Sequence, residues 1–66
     1  MIDNYPKTIL LVEDEVLIAM DEKSVLERNG YQVYMCHNGE DAVQAVENIP
    51  GIDLVLMDIN LGPGID

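Results

Sequence analysis

An α/β fold, a doubly wound parallel sheet, is the class predicted by three observations. Short apolar, β-branched runs recur along the chain. Segments of helical spacing alternate with them, and each connection is only a few residues long. A β-α-β-α-β order with short loops implies parallel strands joined by crossover helices.

The first run, Thr8 to Val12, follows Pro6-Lys7 and stops at Glu13-Asp14-Glu15. A continuous apolar run of this length reads as a strand buried on both faces. Glu15 to Asn29 then reads as a helix, with acids at its start, Arg28 near its end and Asn29-Gly30 as a left-handed stop. Its apolar stripe is predicted as Leu17, Ile18, Val25 and Leu26, interrupted by the polar turn Asp21-Glu22-Lys23. Tyr31 to Cys36 is the second predicted strand, with Tyr31 and Tyr34 as packing residues. After the turn His37-Asn38-Gly39, residues Glu40 to Asn48 form a second helix carrying Ala42, Val43, Ala45 and Val46 as its apolar set. Ile49-Pro50-Gly51 ends it. Asp53 to Met57 is the third strand, and Asp58 stands at its carboxyl end.

Two helices are too few to cover a three-stranded parallel sheet on both faces. At least one edge and part of one face are therefore expected to lie bare, offering a place for association through the open sheet edge. The expected strand order is 2-1-3. A chain of 66 residues is at most one small domain, burying about 60% of its unfolded surface, and is marginal without help.

Composition removes several functions. The formal net charge is −10, from 13 acidic and 3 basic residues, so nucleic acid binding by this segment is not expected. The single cysteine, Cys36, allows no internal disulfide, and no Cys/His cluster suits zinc. Cys36 reads as a small core residue and His37 as a solvated loop histidine. The N-terminal residues lack the pattern of a signal peptide, and no apolar run approaches the ~20 residues of a membrane span. A cytoplasmic location is the expectation.

The acids carry the chemistry. In open α/β sheets ligands sit beyond the carboxyl ends of the strands, where strand order reverses. Glu13 and Asp14 follow the first strand and Asp58 ends the third. If those strands are neighbours, the carboxylates meet in one crevice. Two unit charges about 4 Å apart cost roughly 4 kcal/mol at an effective dielectric near 20. Such a cluster raises a pKa or binds a cation. An all-oxygen donor set suits a hard cation, and Mg²⁺ fits best because it takes one or two carboxylates and keeps waters. Aspartate also serves as a nucleophile toward phosphoryl groups. Together these point to phosphoryl transfer onto Asp58.

The segments Ile9-Leu10-Leu11-Val12-Glu13-Asp14-Glu15, Asn29-Gly30-Tyr31 and Asp53-Leu54-Val55-Leu56-Met57-Asp58-Ile59-Asn60 resemble the receiver domain of two-component response regulators. The resemblance covers residues 1–66 but only the N-terminal half of a full receiver, ending before the family's fourth and fifth strands. It implies the flavodoxin-like receiver fold. It also implies that Asp58 accepts phosphate from a histidine kinase or a histidine phosphotransfer protein. Glu13 and Asp14 hold Mg²⁺ by the same implication, Asp14 more directly, and Asn60 adds a backbone carbonyl. The family further uses a hydroxyl residue after the fourth strand and a lysine after the fifth, and Lys7 and Lys23 match neither.

Proline commonly stands four residues past the phosphoacceptor in this family. Here Gly62 is there and Pro63 follows, a loop one residue longer that resembles the receivers of hybrid sensor kinases.

Other classes fit less well. A haloacid-dehalogenase-type phosphatase needs a second acid where Asn60 stands, and a calcium loop starting at Asp58 needs glycine where Pro63 stands. A dinucleotide site needs glycines where the chain has Glu13-Asp14-Glu15. The reading is thus a phosphoryl acceptor rather than a conventional enzyme. The alternative is a half receiver that takes no phosphate and acts as a protein-binding module.

Overall fold

The computed structural model describes residues 7–58. Their elements are β1 (Thr8–Val12), α1 (Val16–Arg28), β2 (Gln32–Cys36), α2 (Gly39–Asn48) and β3 (Leu54–Met57). The three strands form one parallel sheet in the order β2-β1-β3, as expected. Thr8 pairs with Gln32 and Val12 with Cys36 on one side of β1. On the other side Ile9 pairs with Leu54 and Val12 with Met57. The sheet is a partial flavodoxin-like arrangement, open at β3.

Alternation along β1 sends successive side chains to opposite faces. Leu11 packs with Ala19 of α1 and Val33, with Leu26 and Met35 against them. Leu10 and Val12 pack on the other face with Cys36 and Ala42 of α2, backed by Ala45 and Ile52. The two helices therefore cover opposite faces of β1, and Leu10, Leu11 and Val12 are fully buried. Cys36 is part of this core, and burial, with a smaller contribution from the charge of Asp41, pushes its thiol pKa up.

The helix ends follow local chemistry. Glu15 is the N-cap of α1 rather than a first-turn acid, and its side chain makes no capping bond. At the other end Gly30 takes φ +94°. Its N–H donates to the Glu27 carbonyl at 3.0 Å, and the Tyr31 N–H donates to the Leu26 carbonyl at 3.2 Å. These two bonds are the Schellman pattern, which satisfies carbonyls that the helix leaves open.

Asn38 belongs to α2 as its N-cap, not to a free turn, since its Oδ1 accepts from the Asp41 N–H at 2.8 Å. Replacing Asn38 by alanine removes that acceptor and should cost about 1 kcal/mol. Urea denaturation followed by circular dichroism reads the loss.

Several apolar positions depart from expectation. Ala19 is the buried residue of α1, with Leu26 half-buried, whereas Leu17 is 81% exposed and Ile18 and Val25 are also exposed. Five successive apolar residues, Val16 to Met20, blur the stripe. The smallest of them faces the sheet, because a short side chain allows close approach. Val43 and Val46 of α2 are likewise exposed, beside buried Ala42 and half-buried Ala45. Tyr31 and Tyr34 are exposed rather than packed, and the Tyr34 hydroxyl accepts from Gln32 Nε2 at 3.1 Å.

All four residues of β3 are exposed. Register places Leu54 and Leu56 on the α1 side of the sheet, and Val55 and Met57 on the α2 side. Both faces of β3 are thus exposed among the described residues, more than the part of one face that the shortage of helices predicts.

Candidate functional site

The carboxyl ends of β1 and β3 lie side by side. The Asp58 N–H donates to the Val12 carbonyl at 2.7 Å, extending the β1–β3 ladder by one rung. Glu13, the next residue after Val12, is held from the opposite strand as well, because its N–H donates to the Cys36 carbonyl at 3.0 Å. The sheet therefore fixes the backbone of both acids before any side-chain interaction is counted.

Glu13 is buried, with 3% of its surface exposed. Its Oε1 accepts the Glu15 N–H at 3.0 Å, which favours the charged form. Burial and the carboxyls of Asp14 and Asp58 outweigh that bond and push its pKa up. Asp58 is exposed.

A third carboxyl, from α1, completes the group. Oxygens of Glu13, Glu22 and Asp58 all lie within 4.8 Å of one another. Glu22 is pushed up to about 7, first by the neighbouring Asp58 carboxyl, then by burial and the charges of Asp58, Glu13 and Asp21. Its Oε1 is buried and meets no hydrogen-bond donor. Such an atom costs free energy unless a proton or a cation satisfies it.

Of the residues that sequence marks, Glu13 and Asp58 come together here. Asp14 is exposed, beside Glu13, and stands outside the trio. Asn60, Gly62 and Pro63 lie outside the described residues.

Sequence reasoning missed two residues. His37 is half-buried rather than solvated, and its Nδ1 lies 2.9 Å from the Glu13 carbonyl oxygen, so it ties the start of the acidic loop to the end of β2. Glu22 was hidden inside a polar interruption of the helix. The signal for it is spacing, since Ala19, Glu22 and Leu26 stand at i, i+3 and i+7, one face of a helix.

The raised pKa of Glu22 has a direct consequence for stability. The folded state binds its proton more tightly than the unfolded chain, whose value is near 4.5. The contribution is fully present below 4.5 and is lost as pH rises through about 7. In the presence of a chelator, unfolding midpoints should therefore fall across that window. Glu22→Gln should flatten the fall, which midpoints measured against pH in both proteins will show.

The donor set suits a hard divalent cation. It is all oxygen, clustered and partly buried, and Glu22 contributes a buried oxygen with no hydrogen-bond partner. Glu13 and Asp58 fit the Mg²⁺ that the resemblance implies.

Comparison with known proteins agrees with this geometry. The response regulator receiver domain profile matches residues 9–66. The "Aerobic respiration control protein ArcA" of Escherichia coli (strain K12) is 43% identical over 56 residues, 85% of this chain and 23% of that protein. The "Uncharacterized transcriptional regulatory protein YbdJ" of Bacillus subtilis (strain 168) is 40% identical over 58 residues, 88% of this chain and 24% of that protein. The "Probable histidine kinase 1" of Oryza sativa subsp. indica is 38% identical over 53 residues, 80% of this chain but 5% of that protein. The chain spans about a quarter of the length of the two regulators. No solved structure gives a significant match.

Among the described residues, no helix is long and apolar enough to cross a membrane. A profile matched from β1 onward, on a sheet that mounts its acids at two neighbouring strand ends, shows that the chain belongs to the response regulator receiver domains of two-component signalling.

Proposed function

We propose that the chain accepts a phosphoryl group on Asp58 from a phosphohistidine donor, supplied by a histidine kinase or a histidine phosphotransfer protein. The observation that carries this reading is the juxtaposition of an exposed strand-end aspartate with a buried acid on the neighbouring strand, fixed by the 2.7 Å bond from Asp58 N–H to the Val12 carbonyl. Asp58 is the nucleophile: one carboxylate oxygen forms the bond to phosphorus as the bond from phosphorus to the donor nitrogen breaks. Its mount on a paired strand limits its freedom, and transfer of a loose, metaphosphate-like group depends mainly on positioning and charge neutralisation. Glu13 and Asp58 would hold Mg²⁺, with Asp14 and the Asn60 backbone carbonyl assigned to it by resemblance. When bound, the ion neutralises charge on the phosphoryl oxygens.

The family's hydroxyl and lysine positions follow its fourth and fifth strands, and we propose that residues 1–66 correspond to the part of a receiver that precedes them. The test is incubation of the chain with a phosphohistidine donor and Mg²⁺. An acyl phosphate that mass spectrometry maps to Asp58, and that a chelator suppresses, supports the proposal. Absence of label in the presence of an active donor sinks it.

A second reading, a protein-binding module, is favoured by the bare apolar residues on both faces of β3. Partner binding that persists unchanged in an Asp58→Asn variant, with no label in the parent chain, would favour that reading over phosphoryl acceptance.

A further inference from the structure

We infer that Glu22 of α1 is a third carboxylate ligand for the divalent cation held by Glu13 and Asp58, an inference that rests on the metal site proposed above. The strand-end acids alone make a two-carboxylate site. Here a helix adds a third oxygen donor from its sheet-facing row, between Ala19 and Leu26.

Three features carry the inference. The first is distance. Two ligands of one cation lie no farther apart than twice the metal–oxygen distance, about 4.2 Å for Mg²⁺ and about 5 Å for Ca²⁺. The Glu13, Glu22 and Asp58 oxygens lie within 4.8 Å of one another. All pairs therefore fall within the reach of the larger ion, and Mg²⁺ would hold them within about 4.2 Å.

The second is the state of the Glu22 side chain. Buried carboxylate oxygens are normally hydrogen-bonded, yet Glu22 Oε1 is buried with no partner. Elsewhere on the same helix, Lys23 Nζ donates to Glu27 Oε2 at 2.8 Å, so a cation is available on α1 but is used by another acid. The third is support. Ala19 is fully buried against Leu11 and Val33, which presses this part of α1 onto the sheet and fixes the base from which Glu22 reaches. A ligand carried by a packed helix is more precisely held than one on a loop.

The experiment is calorimetric titration of Mg²⁺ and, separately, Ca²⁺ into the full chain and three variants, with no phosphodonor present. Glu22→Gln keeps the shape of the side chain and removes its charge. Glu22→Ala removes the carboxyl on a good helix former. Glu47→Gln removes one charge from α2, outside the acidic group, and controls for net charge.

The expected result is a loss of affinity of about tenfold or more in both Glu22 variants, the scale seen when a supporting group of a metal site is removed. Glu47→Gln should bind as the parent does. Parent-like or tighter binding by Glu22→Gln overturns the role of Glu22 and leaves the two-carboxylate site standing. Equal weakening by Glu47→Gln also overturns it, because the effect is then one of overall charge. No binding by the parent chain overturns the metal site and this inference together, so the two failures are told apart.

Discussion

Replacing Asp58 by asparagine is expected to abolish phosphoryl incorporation, leaving less than about 1% of the parent's label. An amide nitrogen and carbonyl cannot replace a carboxylate nucleophile, and activated-nucleophile losses are typically several orders of magnitude. The substitution is close to isosteric and Asp58 is exposed, so the sheet should survive it. The backbone bond to Val12 uses the residue 58 N–H, which asparagine retains. Loss of label with an unchanged circular dichroism spectrum therefore assigns the defect to chemistry. Label that persists at an undiminished level, on another residue or on none that can be mapped, would remove Asp58 from the reaction.

Leu11→Ala has the largest expected effect on stability. Leu11 is fully buried between Ala19 and Val33, and a Leu-to-Ala change in such a place costs about 2–5 kcal/mol. At about 0.05–0.15 kcal/mol per residue, a chain of this length has roughly 3–10 kcal/mol in all. The variant is expected to be largely unfolded, or to melt at a much lower urea concentration. Leu54→Ala makes the contrasting case. Leu54 is 54% exposed on β3, so the same change should cost less than about 1 kcal/mol. Urea midpoints of the two variants decide the matter. Equal losses would mean that Leu54 is buried in solution and that β3 is covered.

The strands and the acids at their ends were legible because both signals are local. Thr8–Val12 is a continuous β-branched and apolar run, and Asp58 follows another such run with nothing ambiguous between them. Gly30 announced the end of α1 because its backbone conformation is one that other residues resist. The face of α1 was not legible in the same way. Val16 to Met20 is apolar on every side, so periodicity selected Leu17 and Ile18 by size, while packing selected Ala19. Glu22 was missed for a related reason. An acid in a core-facing row reads as an interruption until the acids of β1 and β3 are seen to lie across from it. His37 was misjudged because its partner is a backbone carbonyl 24 residues away, a long-range contact that no local pattern encodes.

The bare third strand has a consequence for handling the chain. Leu54–Met57 is apolar on both faces and, at the end of the sheet order, has one edge with no neighbouring strand among the described residues. A short apolar edge of this kind is a template for pairing with identical edges, the first step toward insoluble β-aggregates. Little in the strand opposes this, since Leu54 to Met57 carries neither charge nor proline. The formal net charge of −10 is therefore the main opposing force. It acts at long range and is screened beyond about 8 Å at physiological ionic strength. The colloidal stability of this chain is accordingly electrostatic in origin. Dilute salt and neutral or alkaline buffer keep it dispersed, while concentrated salt or mild acid removes the repulsion and leaves the exposed strand free to seed a precipitate.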